Sequence, residues 1–254
     1  MQDFVHLHVH TQYSLLDGQT NIKKMIDKAV ADGMRGVAIT DHGSMMGVKE
    51  FMNTCGKKNK ELKEKGEHIK PIIGCEVYVA TRKKEQKEGK QDSANYHLVL
   101  LAKNNKGYHN LVKIVSRAWT DGFYSHARTD RFDLEKFHEG LICCSACLGG
   151  ELPKLITSGR VDEAEQVALW YKNLFGDDYY IELQRHKATA LKANHETYQI
   201  QQQVNQELIR IARKLDIKII CTNDVHFLDE ENADAHELLI CLSTGRDPAS
   251  AHQS

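Results

Sequence analysis

Short apolar runs of strand length recur along this chain at residues 4–11, 36–40, 70–80, 97–102, 140–145, 179–183 and 218–222. All but one of the intervals between them carry a helical repeat, such as the stripe Ile22, Met25, Ile26, Ala29 and Val30, or the stripe Val204, Leu208, Ile211, Ala212 and Leu215. Strands that alternate with helices run parallel through right-handed crossovers, which leaves two α/β architectures, a closed barrel or a doubly wound sheet. Polar clusters favour the first. Asp41-His42-Gly43 ends one run, Cys147 follows another, and Asn223-Asp224-Val225-His226 ends a third. In a barrel the carboxyl ends of the strands meet at one mouth, so these clusters converge. A single α/β barrel is the expected fold, and 254 residues suits one.

The first run, Phe4-Val5-His6-Leu7-His8-Val9-His10-Thr11, puts three imidazoles on one face of a strand, because successive side chains alternate. Imidazoles are poor core material and good metal ligands, and two-residue spacing aims a pair at one ion. A solvent-facing strand with incidental histidines would carry the same letters, so the rest of the chain must separate the two. Glu76 lies inside an apolar run, where an unpaired carboxylate would be costly. Together with His8, His10, Asp17, His42, His97, Cys147, Asp224 and His226 it makes nine possible ligands beside strand ends. Each alone is weak evidence. A mouth crowded with all of them is stabilised by cations.

Composition excludes several function classes. Apolar and charged fractions of 41% and 27% are those of a globular protein rather than a disordered one. No run has the length of a transmembrane helix and the N-terminus lacks a signal-peptide pattern, so a cytoplasmic protein without membrane contact is expected. The seven cysteines, an odd number set mostly in apolar runs, suit a reducing compartment. Cys144 and Cys147 have no second pair at zinc-finger spacing. A net charge of −1 gives no bulk footprint for nucleic acid. Segment 81–95 reads as an excursion or flexible loop. Segment 121–133 reads as a loop able to meet an anionic ligand, or as a surface loop with ordinary charges.

Six blocks taken together resemble one family. They are His8-x-His10, Asp41-His42-Gly43, Gly74-Cys75-Glu76, His97 ahead of an apolar strand, Ser145-Ala146-Cys147-Leu148-Gly149-Gly150-Glu151, and Asn223-Asp224-Val225-His226-Phe227. Their order and content resemble the polymerase and histidinol phosphatase (PHP) domain, in the branch found at the N-terminus of bacterial DNA polymerase III alpha subunits. The resemblance covers nearly the whole chain. It implies a distorted (β/α)7 barrel with a metal site at the C-terminal ends of the strands, holding three divalent ions, zinc or manganese, with iron also compatible. It further implies that His8, His10, Glu76 and Asp224 hold one ion, that Glu76 bridges to a second held by His97 and Cys147, and that Asp17, His42 and His226 hold the third. Asp17, Glu76 and Asp224 become the expected catalytic carboxylates. His6 has no ligand counterpart in the family pattern and is read as a structural or supporting residue.

The reaction so implied is metal-dependent hydrolysis of phosphodiester bonds at DNA 3′ ends, a proofreading 3′–5′ exonuclease activity. Arg128, Arg185 and His186, with His126, are the candidates to contact the substrate backbone. Expected partners are a primer–template end, the remaining domains of the polymerase subunit and a proofreading exonuclease subunit. Two other classes stay open: a non-catalytic module that docks that subunit, and a free-standing phosphatase for a small phosphomonoester such as histidinol phosphate. Loop 122–130 departs from the family, which more often ends it in Lys-Pro-Arg-Ile-Asp, and His97 stands before its strand rather than after it. The family domain is expected over residues 1–246, with 247–254 a short tail left by excision or truncation, and isolated DNA affinity is expected to be low and salt-sensitive.

Overall fold

A computed structural model describes residues 4–188 and 196–246, so the expected tail at 247–254 lies outside the described residues. Among the described residues, seven strands form one curled sheet: β1 (Gly36–Ile39), β2 (Lys70–Ala80), β3 (Asn95–Ala102), β4 (Arg128–Thr129), β5 (Leu141–Cys144), β6 (Tyr179–Leu183) and β7 (Lys218–Cys221). Their order is β1-β2-β3-β5-β6-β7, with β4 paired to the far end of β2. Helices cover the outer face. Leu111, Ile114, Leu134, Tyr171, Leu208 and Ile211 close the larger core against β2, β3, β5 and β6, while Ile22, Ile26, Phe51 and Ile69 close a second core beside β1. Ala38, Val99, Leu101 and Cys144, with Ala146, form a smaller apolar cluster on the opposite face of the sheet, since they alternate along β1, β3 and β5 with residues of those two cores.

The strands β1, β2, β5, β6 and β7 pair in parallel, as the alternation with helices requires, but β3 is antiparallel to both of its neighbours. The expected all-parallel sheet is therefore corrected at one strand. The interval between β2 and β3 is the one without a long helix. It holds only Gly89–Ser93, and so returns the chain beside β2 as an antiparallel partner instead of crossing over. Reversal explains the position of His97. The first residues of β3 lie beside the last residues of β2, with His97 opposite Tyr78, so a residue that opens this strand reaches the same mouth as residues that end the others.

The opening segment differs from the regular strand expected over residues 4–11. It joins the two edges of the sheet by isolated bridges, His6 to Val37 on one side and Val9 to Val225 on the other. Ala38 N–H donates to the His6 carbonyl and Thr40 N–H to the Val9 carbonyl, an advance of three residues against two. The extra residue is a β-bulge, which turns the chain between His6 and Val9. Strict alternation fails there, and His6 leaves the face that His8 and His10 share. The excursion at 81–95 is pinned rather than loose: Lys84 is buried against Asp133 at 3.1 Å, and Arg82 pairs with Asp92 at 2.6 Å.

Candidate metal centre

Glu76 is the hub. It sits fully buried on β2, and each of its carboxylate oxygens faces a different group of donors. Oε1 lies 3.1 Å from His8 Nε2, 3.0 Å from His97 Nδ1 and 3.7 Å from Cys147 Sγ. Oε2 lies 2.5 Å from His42 Nδ1 and 3.8 Å from His10 Nε2. Asp224 Oδ1 closes the first group, 3.2 Å from His8 Nε2 and 3.1 Å from His10 Nε2. Asp17 Oδ2 closes another, 2.6 Å from His42 Nε2 and 3.5 Å from His226 Nε2. All nine residues named from the sequence come together. Three groups of them could each hold an ion: His8, His10 and Glu76; Glu76, His97 and Cys147; and His10, His42 and His226.

Neighbouring groups orient the imidazoles. His8 Nδ1–H donates to Glu182 Oε1 at 2.7 Å, and the same oxygen accepts from Gln184 Nε2 at 2.9 Å and from the Thr222 hydroxyl. Ser14 Oγ gives its proton to Asp41 at 2.8 Å and so accepts from His10 Nδ1 at 3.2 Å. His226 Nδ1–H donates to the Asp224 carbonyl at 2.8 Å. In each ring the proton on Nδ1 is spent outside the cluster, which fixes the ring and leaves Nε2 aimed inward, an arrangement common to metal-ligating histidines. Glu182 is not among the residues the sequence singles out, although it carries the same signal as Glu76, an acid inside an apolar run.

Backbone geometry is also special here. Asp224 itself, Leu16 before Asp17 and Ala146 before Cys147 all have positive φ, a conformation that non-glycine residues adopt at a cost and that tends to gather at functional sites. Gly149 lies so close to His97 that a Cβ there would come within 2.8 Å of the ring.

The donor set fits a divalent metal by its own unmet needs. Four of its buried atoms, His10 Nε2, His42 Nδ1, Glu76 Oε2 and Asp224 Oδ1, make no well-aligned hydrogen bond and face only other members of the cluster, His42 Nδ1 at 2.5 Å from Glu76 Oε2 and His10 Nε2 at 3.1 Å from Asp224 Oδ1, although buried polar atoms nearly always find a well-formed partner. The protein's own protons stand in for the missing charge. Burial acts to deprotonate His8, but Asp224 and Glu182 outweigh it and hold the ring well above the usual imidazole range. Burial is likewise overcome at His42, which Asp17 and Glu76 hold at about 10. At His10 burial prevails, helped by His42, and pushes the ring down to about 3. Glu76 stays well below the carboxylate range despite burial, because His97, His42 and His8 surround it. Burial and the Glu76 charge hold the Cys147 thiol well above its usual range.

The expected substrate contacts fare differently. Arg128 is corrected: it is fully buried, and its guanidinium donates to the carbonyls of Gly122 at 3.0 Å, Lys84 at 2.8 Å, Gln86 at 3.1 Å and Asp92. Those bonds stitch the 81–95 excursion to the loop before β4 and leave the side chain no reach toward a ligand. Arg185 is exposed and bound to the Tyr198 hydroxyl at 2.6 Å. His186 has both ring nitrogens engaged, with the Asn223 carbonyl at 2.7 Å and Gln201 at 2.8 Å, so it supports the loop that carries Asp224. His126 is exposed at the rim, its ring 4.5 Å from that of Tyr78, which in turn adjoins His97 and His42.

A curled α/β half-barrel that gathers imidazoles, carboxylates and a thiol at one mouth defines a class, barrels whose donors could hold metal ions. Within that class the chain belongs to the PHP domain family, whose model matches residues 6–186. Curated relatives are DNA polymerase III alpha subunits. That of Borreliella burgdorferi is 44% identical over 95% of this chain, that of Treponema pallidum 41% over 95%, and that of Aquifex aeolicus 40% over 95%. The chain spans about a fifth of the length of each, 20%, 19% and 20% respectively. Among solved structures, an amidohydrolase from Chromobacterium violaceum with bound sulfate and no metal shares the fold, with a TM-score of 0.51 at 15% identity over 89% of this chain and 88% of that one.

Proposed function

We propose that this chain is the metal-dependent phosphoesterase domain of a replicative DNA polymerase alpha subunit, and that it removes nucleotides from DNA 3′ ends by phosphodiester hydrolysis. The observation that carries the reading is Glu76, a buried carboxylate whose two oxygens face separate donor groups, among buried ligand atoms that have no other partner. His8, His10, Glu76 and Asp224 would hold one divalent ion, Glu76, His97 and Cys147 a second, and Asp17, His42 and His226 a third. Zinc and manganese both suit this mixture of imidazole, carboxylate and thiolate, and iron is compatible. Ions bound there would supply Lewis acidity toward phosphoryl oxygens and a nucleophile at neutral pH.

The chain's own residues do the rest. Glu182 and Ser14 keep the inner nitrogens of His8 and His10 turned to the cluster, and Glu76 fixes the spacing of two donor groups. Asp41 anchors the turn that carries Asp17, accepting from Thr11 N–H at 2.6 Å and from Ser14. His126, at the rim beside Tyr78, is the best placed of the expected contacts to meet the strand backbone. The test is release of mononucleotides from a 3′-labelled oligonucleotide by the metal-loaded chain. Release should fall at least ~10³-fold in Glu76→Gln and Asp224→Asn, in line with loss of a metal-held reaction. Tight metal binding with strong stabilisation and no hydrolysis of any phosphoester would instead favour a structural or docking role.

A further inference from the structure

A cavity of about 660 Å³ adjoins the cluster, bordered by Asp17, Asp224 and His226 at one end and by the helix Ile22–Ala31 along its side. Its walls are largely apolar, formed by Met25, Ala29, Met34, Val225 and Leu228 among others. Two histidines stand out in it. His6 and His236 line the cavity, and His6 Nδ1 and His236 Nε2 are buried beside it with no hydrogen-bond partner. Each ring is braced by an aromatic neighbour, His6 by Phe4 at 5.0 Å and His236 by Phe227 at 5.2 Å. Two further polar side chains there are engaged, Lys28 with Asp229 and Asp32, and His186 with the Asn223 carbonyl and Gln201.

We infer that this cavity receives the base and sugar of the terminal nucleotide, with His6 and His236 meeting the edge of the base. The inference rests on the phosphoesterase reading, which places the phosphoryl group at the cluster, and it adds the class of group on the other side of that phosphate. An apolar slot of this size with two unmet polar atoms is the usual form of a small-molecule site. Imidazole nitrogens donate or accept according to tautomer, and base edges offer both kinds of partner, so a flat heterocycle satisfies them where an alkyl chain leaves them unpaired. The bulge that turns His6 away from His8 and His10 is what brings it into this second site.

Equilibrium binding to the metal-loaded chain tests it, comparing thymidine 5′-monophosphate and deoxyadenosine 5′-monophosphate with deoxyribose 5-phosphate, the same ligand without a base. The nucleotides should bind at least tenfold more tightly than the sugar phosphate. Ala29→Phe, which fills the cavity, should erase that difference, and so should His6→Phe paired with His236→Phe, with circular dichroism confirming the fold of each variant. Equal affinity for the three ligands in the unmodified chain, or an unchanged preference in both folded variants, overturns the cavity assignment while oligonucleotide hydrolysis still supports the phosphoesterase. Absence of binding by all three together with absence of hydrolysis overturns the underlying reading as well.

Discussion

Glu182 and Arg128 are both buried charged groups whose partners are set by tertiary contact and not by local sequence. Tyr-Tyr-Ile-Glu-Leu contains an acid in an apolar run, and the cost of burying it pointed to a partner; that partner, His8, is 174 positions away and invisible in the local sequence. Glu182→Gln should lower metal affinity ~10–100-fold while leaving the fold intact, since it supports a ligand without being one; competition with a chromogenic chelator reads the change. Arg128 follows Tyr124 and His126 closely in the sequence, a pattern that reads as an anion contact. Its partners are carbonyls from segments 84–92 and from Gly122, which no spacing rule connects. Arg128→Met should cost about 3 kcal/mol or more in urea unfolding, because several buried carbonyls lose their donor. Metal affinity of the folded fraction should change far less than in Glu182→Gln.

At the scale of elements, six of the seven expected apolar runs became strands close to where they were read, because a run bounded by turn residues and long enough to cross the sheet has few alternatives. Direction was not legible: an apolar strand reads alike both ways, and only the missing crossover helix before β3 hinted at its reversal. The opening run keeps His8 and His10 at the mouth but loses its regular form to a bulge, and the two-residue strand β4 has no periodic signal to find. The turn after β5 offers a test of how backbone positions a donor. Gly149 N–H donates to Cys147 Sγ at 3.4 Å, and the Gly149 carbonyl accepts from His97 N–H at 3.0 Å. Gly149→Ala pushes a methyl group into the His97 ring, so the cobalt-substituted variant should lose the thiolate-to-cobalt charge-transfer band of the Cys147 group. Retention of that band at full intensity would show that His97 can yield without disturbing the group.

For the whole molecule, the mouth ties fold stability to its cations. The nine donors come from segments spread between His8 and His226, so anything that binds them all clamps the two sheet edges together. Chelation should lower the melting temperature, and loading should release protons at neutral pH, because His8 and His42 hold protons that ligation displaces. Calorimetric titration in two buffers of different ionisation enthalpy measures that release. In the chelated protein the sign is set by His42, whose pKa is raised from 6.5 to about 10 on folding. Its contribution is complete below pH 6.5 and fades as pH climbs through about 10, so melting temperature should fall over that interval. Burial opposes this at His10, which is held neutral down to about 3 and therefore costs stability as pH drops below its unfolded value. The most direct measurement is a time course of mononucleotide release from 3′-labelled single-stranded DNA, run on the loaded chain, the chelated chain and the chelated chain reloaded with manganese or zinc. Release should appear with loading, vanish with chelation and return on reloading. Release that persists in protein verified free of metal, or none from protein carrying its full complement of ions, would contradict a metal-held phosphoesterase at this mouth.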